Sequence, residues 1–236
     1  MKFLTLALAA GLLVATAAQA DEAVIRKALA AQFPGAQIVS VTQTPYSGLF
    51  EVYLDGQLVY TDAKGQYVFI GDVVDLKNRS NLTQQRLSRL QAVNWNTLPL
   101  QDALKTVKGK GERRLVLFSD VDCPYCRKFE EELAKVDNIT VYTFLYPVEG
   151  LHPKAVQASK RIWCAPDRNK AWDDYIARGT VPSNDGKCAN PVDATIALGQ
   201  RLRINGTPTL IFANGVRVPG MVPAAQLERL LAANAK

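Results

Sequence analysis

The chain has 236 residues, of which 48% are hydrophobic and 21% charged, and it carries a formal net charge of +6. That is the composition of one or two globular domains with ample apolar material for a core. The positive charge is thinly spread. Its densest spots, Lys108-Gly109-Lys110 and Arg113-Arg114, sit beside acidic or apolar residues and read as solvated loop charge. No basic stripe interleaves with aromatics, which argues against nucleic-acid binding.

The first twenty residues read as a signal peptide. Lys2 gives a positive start, Phe3 to Ala17 is almost wholly apolar, and Ala18-Gln19-Ala20 fits a small-x-small cleavage site. Cleavage after Ala20 leaves a mature chain starting at Asp21, with a net charge of about +5 once Lys2 is gone. The competing reading is a membrane anchor, but the stretch is short, Ala-rich and ends in a cleavage pattern. No later segment approaches the roughly twenty apolar residues a span needs. The expectation is export to a compartment where disulfides persist.

Residues 21–80 read as a small α+β unit. Val24, Ile25, Leu29 and Phe33 fall at helical spacing before Pro34-Gly35. Alternating segments follow over 37–41, 49–54, 58–61 and 66–70, with turns at Asp55-Gly56 and Lys64-Gly65. About sixty residues is marginal for a self-sufficient core, and pairing with a second copy would relieve that. From Asn81 to Val93, Leu82, Leu87 and Leu90 mark an amphipathic helix that either links two domains or packs within one.

The rest of the chain follows another pattern. Leu115 to Ser119 is a buried-type strand, and a helix starts at a pair of cysteines and runs through Phe129 and Leu133. Residues 138–146 form a second strand. Helical stretches follow near 154–162, 169–177 and 192–202, then a hairpin around Asn214-Gly215 and a closing helix over 224–233. The order β-α-β, helices, β-β-α is a thioredoxin-type arrangement with a helical insertion. No repeat or low-complexity stretch follows the leader.

Four cysteines carry the chemistry. Cys123 and Cys126, in Cys123-Pro124-Tyr125-Cys126, lie three apart at a strand-to-helix transition. That spacing fits the first turn of a helix, one thiol facing outward and the other behind it. The unpaired N–H groups and partial positive charge of a helix start favour the thiolate, the nucleophile of disulfide exchange. Cys126 would then resolve the mixed disulfide. Pro124 suits the first helical position, where its missing N–H costs nothing. A lone Cys-x-x-Cys is also half a zinc site, but no second such pair exists and His152 is the only histidine. Pro208 in Asn205-Gly206-Thr207-Pro208-Thr209 precedes a strand. It admits either a cis Thr207–Pro208 bond or an ordinary trans-proline strand start.

Cys164 and Cys188 enclose a polar stretch between helices. In an oxidising compartment they are expected to form a structural disulfide, the alternative being a second redox pair without the helix-start context. His152 has no surrounding motif and reads as a loop or cap residue. Asp120 and Asp122 flank the cysteines; their default reading is solvated loop acid, the other a modulator of the thiols. Trp95, Trp163 and Trp172 read as core or domain-contact residues.

Taken together, Phe118-Ser119-Asp120-Val121-Asp122-Cys123-Pro124-Tyr125-Cys126, Gly206-Thr207-Pro208-Thr209, the extra Cys164/Cys188 pair, the N-terminal hairpin unit and the leader resemble the DsbC/DsbG family of periplasmic thiol:disulfide interchange proteins. The resemblance covers essentially the whole mature chain. It implies an α+β chain with a cystatin-like dimerisation domain over 21–80, a linker helix over 81–100 and a thioredoxin-like catalytic domain with a helical insertion over 101–236. It further implies a V-shaped homodimer and a cis Thr207–Pro208 bond packed against Cys123 and Cys126. Misfolded disulfide-containing secreted proteins would bind in the cleft, and the membrane reductase DsbD would keep the site reduced. No cofactor or metal is implied. Pro124 stands where the better-known DsbC motif has Gly, and Cys-Pro-Tyr-Cys is typical of the DsbG branch. The Cys164/Cys188 pair and the length of the N-terminal domain favour the DsbC branch. Leu117, six before Cys123, stands where thioredoxin and DsbA carry a buried acid, which fits the DsbC and DsbG branches better than an oxidase or thioredoxin. The expected function is therefore a periplasmic disulfide isomerase with chaperone activity. The alternatives are a DsbG-like reductase of oxidised single cysteines, a non-enzymatic holdase and a monomeric oxidase.

Overall fold

The computed structural model describes residues 9–235, with side chains from Asp21 onward. Residues 1–8 of the expected leader lie outside the described residues, and residues 9–20 are the start of α1 (Ala9–Gln32). Among the described residues no helix is long and apolar enough to cross a membrane. The chain divides into two compact units, one ending at Leu90 and the other starting at Gln91.

In the first unit α1 is followed by an antiparallel meander of β1 (Ile38–Gln43), β2 (Phe50–Leu54), β3 (Gln57–Thr61) and β4 (Val68–Phe69), in that spatial order. Ile25 and Leu29, one turn apart on α1, are buried with Val41, Phe50, Val52 and Val59 of the sheet. Val24 and Phe33, expected on the same apolar stripe, fall outside it and are exposed. Asp55 and Gly56 both take positive φ and join Leu54 to Gln57 as a two-residue hairpin, the conformation that an Asp-Gly pair favours. At the next turn the Asp62 carboxylate accepts the backbone N–H groups of Lys64, Gln66 and Tyr67. Ordering around that carboxylate leaves only Val68–Phe69 as strand where residues 66–70 were expected.

A small ladder, β5 (Val74–Asp75) with β6 (Ser80–Asn81), was not foreseen. It leads into α2 (Leu82–Leu90), the helical part of the expected 81–100 linker. Thr83 ties α2 to the sheet: its hydroxyl meets the Tyr60 hydroxyl at 2.6 Å and accepts the Val73 N–H at 2.8 Å, all in buried or part-buried surroundings. Arg86 pairs with Glu51 at 2.6 Å.

The second unit holds β7 (Leu104–Lys108), β8 (Arg113–Ser119), α3 (Pro124–Leu133), β9 (Ile139–Leu145), α4 (Ala155–Trp163), α5 (Arg168–Arg178), α6 (Val192–Arg201), β10 (Thr209–Phe212), β11 (Arg217–Pro219) and α7 (Ala224–Ala233). Its sheet has the order β11-β10-β8-β9-β7, with only β8 and β9 parallel. The two-residue period of β8 sends Leu115 and Leu117 to one face, where they pack with Phe129 and Leu133 of α3 and Leu227 and Leu231 of α7. Val116 and Phe118 point the other way, to Phe144, Tyr146 and Leu198. A third cluster joins α4 and α5 through Ile162, Trp163, Trp172 and Tyr175. All three tryptophans are buried, as expected.

β7 was missed, because its sequence Leu-Lys-Thr-Val-Lys carries too little apolar signal for a strand that edges the sheet. The basic spots are also corrected. Lys108 donates to the carbonyls of Leu133 and Ala134 at the end of α3, at 2.8 and 2.9 Å. Arg113 pairs with Glu228 of α7 and donates to the carbonyls of Asp137 and Asn138. Arg114 lies over the Trp95 ring. These cations hold elements together through carbonyls and rings, which a count of neighbouring charges does not reveal.

A groove of about 620 Å³ separates α3 and α5 from the β7–β9 edge, lined among others by Glu130, Trp172, Val141 and Ile176. Burial there pushes the Glu130 carboxyl up to about 7, against a hydrogen bond from Trp172 that favours the charged form.

Two expectations follow. Thr83→Val strands the Tyr60 hydroxyl and the Val73 amide together and should cost about 1–3 kcal/mol in denaturant unfolding; an unchanged midpoint of the N-terminal transition would contradict this. Between pH 4.5 and about 7 the folded chain keeps a proton on Glu130 that the unfolded chain releases. Stability from this group therefore falls as pH rises through that window. Glu130→Gln should match the parent at pH 4 and exceed it at pH 8 by on the order of 1–3 kcal/mol. A pH-independent difference would refute the assignment.

Candidate active site

The backbone leaves β8 at Ser119, turns through Asp120, Val121 and Asp122, and enters α3. Cys123 is the N-cap of α3, in extended conformation at φ −74° and ψ 121°, and Pro124 occupies the first turn. The Cys123 carbonyl accepts the first helical N–H groups, from Cys126 at 3.1 Å and Arg127 at 3.2 Å. Cys126, Phe129 and Leu133 form the buried stripe of the helix. The second cysteine is thus held by the same face that fixes α3 on Leu115 and Leu117. Both cysteines are free thiols. The expected outward-facing Cys123 is so only in degree, at 6% exposure against 0% for Cys126. Pro124 and Tyr125 are exposed around it, and the Lys128 ammonium lies 5.8 Å from the centre of the Tyr125 ring.

The segment leading into β10 covers Cys123 from the other side. The Thr207–Pro208 peptide is cis, and the Cys123 Sγ lies 3.4 Å from the Thr207 carbonyl oxygen. That segment is itself pinned. The Thr209 hydroxyl donates to the Gly206 carbonyl at 2.7 Å, and the Gly220 N–H donates to the Pro208 carbonyl at 2.7 Å.

Burial pushes the Cys126 thiol up to about 12, with the Cys123 sulfur adding to the effect. The Ser119 and Thr207 hydroxyls and the backbone N–H of Asp120 work in the opposite direction without overcoming it. Cys126 is accordingly a neutral thiol at ordinary pH. Leu117 is fully buried in the core beneath α3, so no carboxylate enters from that position of the strand.

The largest departure from sequence expectation concerns the acids. Asp120 is fully buried, not a solvated loop acid. One carboxylate oxygen accepts the Asp122 N–H at 2.8 Å; the other accepts the Val148 N–H at 2.7 Å and lies 2.9 Å from His152 Nδ1. His152, read as a bland loop residue, is therefore part of the surroundings of the cysteines. Asp122 is half-buried and accepts the Tyr175 hydroxyl of α5 at 2.8 Å, and burial with that contact pushes the Tyr175 phenol up to about 12. The only hint in the sequence was that the apolar run of β8 leads directly into Asp120; its partners lie 28 and 32 residues further on, beyond the reach of local pattern.

Cys164 and Cys188 form a disulfide with Cα atoms 5.7 Å apart. It joins the end of α4 to the segment before α6, away from any helix start. Among the described residues no three or more His, Cys, Asp or Glu side chains are placed to share a metal ion.

Comparison with known proteins agrees with this architecture. Residues 16–84 match the family described as the disulfide bond isomerase protein N-terminal domain, and residues 100–235 match the thioredoxin-like domain family. The probable thiol:disulfide interchange protein DsbC of Bordetella pertussis is 41% identical over 213 residues, covering 90% of this chain and 74% of that protein. The thiol:disulfide interchange protein DsbC of Escherichia coli K12 is 30% identical over 217 residues, 91% of this chain and 89% of that protein. A crystal structure of a disulfide interchange protein from Neisseria gonorrhoeae superposes with a TM-score of 0.57 at 42% identity, covering 59% of this chain and 99% of that one. An N-terminal isomerase-type unit, a thioredoxin-like unit opening α3 on a cysteine pair, and relatives aligned across nine-tenths of the sequence place the chain in the DsbC family of thiol:disulfide interchange proteins.

Proposed function

We propose that the chain is a periplasmic protein disulfide isomerase in which Cys123 is the nucleophile and Cys126 the resolving thiol. The observation that carries this reading is the position of Cys123 at the head of α3, its sulfur on the Thr207 carbonyl and a neutral, buried Cys126 one turn behind. The head of a helix carries a partial positive charge, and the thiolate is the nucleophile of disulfide exchange. The Cys123 thiolate attacks one sulfur of a wrong disulfide; the substrate S–S bond breaks and a substrate thiolate leaves. A different substrate thiolate then attacks the mixed disulfide, forming a new substrate disulfide and returning Cys123 as thiolate, so no net oxidation occurs. When that step stalls, Cys126 loses its proton and attacks Cys123 Sγ, which releases reduced substrate and leaves a Cys123–Cys126 disulfide. A membrane reductase of the DsbD type would restore the dithiol. A resolving thiol that is neutral at rest gives the substrate time to rearrange first. Pro124, Tyr125 and Thr207 form the rim that the substrate chain meets, with Pro208 buried behind Thr207 as support, and Cys164–Cys188 staples the helical insertion as a structural bridge.

The reading includes a homodimer. Tyr67, Phe69, Ile70, Val74 and Leu76 of the N-terminal unit are all about half exposed or more, and β4 is paired on one side only. An exposed apolar edge on a unit this small favours pairing with a second copy. The resulting cleft would hold misfolded secreted proteins and supply chaperone activity. The second reading, a reductase of oxidised single cysteines, is favoured by Pro124 in the Cys-Pro-Tyr-Cys sequence.

Reduced protein should restore activity to a scrambled multi-disulfide substrate, and Cys123→Ala should lower that rate by about a hundredfold or more. Failure of the parent protein on scrambled substrate, with rapid reduction of sulfenylated proteins, would favour the second reading. Suppression of aggregation should survive Cys123→Ala/Cys126→Ala, since it rests on the cleft. Phe69→Lys/Ile70→Asp should shift the light-scattering mass from two chains toward one; a single-chain mass for the parent would remove the dimer.

A further inference from the structure

Both backbone polar groups of Asp120 meet the cysteine pair, and its carboxylate holds the turn that carries them. Its carbonyl accepts the Cys123 N–H at 3.2 Å, and its own N–H faces the Cys126 sulfur. Its carboxylate, fully buried, accepts the Asp122 N–H one residue before the nucleophile and reaches across to the loop after β9 through the Val148 N–H. A displacement of this one residue therefore moves both thiols. A buried carboxylate stays in place only while its oxygens are satisfied, because removing one donor leaves desolvated charge without compensation. Two of its three donors are backbone amides. The third is His152, on that same loop, its side chain 24% exposed and so open to solvent at one edge. The Asp120 carboxylate only accepts, so Nδ1–H of the imidazole is the donor in this pair. Asp122 and Tyr175 also face this corner and are committed to each other, and the Arg127 guanidinium lies within electrostatic reach of Tyr175.

We propose that His152 is a positioning residue for the thiol–disulfide exchange: by donating Nδ1–H to Asp120 it holds the carboxylate that aligns Cys123 and Cys126, and so sets the dithiol–disulfide equilibrium of the pair. This rests on the reading of Cys123 and Cys126 as the working couple. The imidazole acts through Asp120. The side chain that tunes the pair is thus donated by the loop just ahead of the helical insertion, and not by the strand position held by Leu117.

The test is equilibration of the full chain with glutathione. Oxidation of the pair forms the Cys123–Cys126 bond, and the two electrons and two protons it gives up convert one glutathione disulfide to two glutathiones. The equilibrium constant is read for the parent, His152→Ala, Asp120→Asn and the double variant. The expected result is a shift of about fivefold or more for His152→Ala in the parent background and less than about twofold in the Asp120→Asn background, as required of two residues that act as one unit. An equal shift in both backgrounds, or none in either, overturns the proposal. Should Asp120→Asn not fold, His152→Asn decides. Its amide nitrogen is bonded to Cγ as Nδ1 is and can donate to the same oxygen, so it should return the constant to within about twofold of the parent while His152→Ala does not. If His152→Asn and His152→Ala behave alike, the proposal fails. A parent protein that forms no Cys123–Cys126 disulfide in this buffer would instead remove the working couple itself.

Discussion

The packing of one face of α3 on the sheet is the constraint on which the rest of the second unit depends. Cys126, Phe129 and Leu133 share that face, and Phe129 and Leu133 meet Leu115 and Leu117 beneath it. Burial of these side chains fixes where the helix begins, and the helix start fixes Cys123. The same burial removes Cys126 from water and keeps it protonated. One apolar contact surface thus produces an asymmetric pair from two chemically identical residues. Cys123, the proposed nucleophile, sits at the rim at the head of α3, and Cys126, the proposed resolving thiol, lies fully buried below it.

A second layer of control surrounds that pair. Asp120 and Asp122 bracket the turn into α3, and each is held by a side chain from later in the chain, His152 and Tyr175 respectively. Tyr175 belongs to the helical insertion that the Cys164–Cys188 bridge staples, and His152 lies just before its first helix. The insertion is therefore more than an addition to a thioredoxin-like sheet, since it supplies polar partners to the turn that carries the cysteines. Asp120, Asp122, His152 and Tyr175 come from loops and helices, while β8 contributes the Ser119 hydroxyl at its end and only hydrocarbon at Leu117.

Much of this was legible from the sequence, and for local reasons. The Asp55-Gly56 turn, the continuous apolar run of Leu115 to Ser119, the helix start at Cys123-Pro124 and the closing helix after Pro223 each follow from preferences within a few residues. The tryptophans and the Cys164–Cys188 pair also fell where composition and compartment suggested. What escaped was long-range. β7 is a strand because β9 offers it a ladder, not because Leu-Lys-Thr-Val-Lys alternates strongly. Lys108 and Arg113 were taken for solvated charge because their partners are carbonyls and a glutamate as far as 115 residues away. Asp120 and His152 looked ordinary for the same reason, and Val24 and Phe33 looked buried because spacing alone does not say how wide a stripe the sheet covers.

In the proposed mechanism the fold makes Cys123 the nucleophile and keeps Cys126 silent. That asymmetry is tested most directly by alkylating the reduced protein at pH 7 and following each cysteine by peptide mass spectrometry. The account predicts that Cys123 reacts first, with Cys126 slower by about a hundredfold or more, and that Cys164 and Cys188 stay unmodified. Equal rates at the two thiols, or Cys126 reacting first, would contradict it.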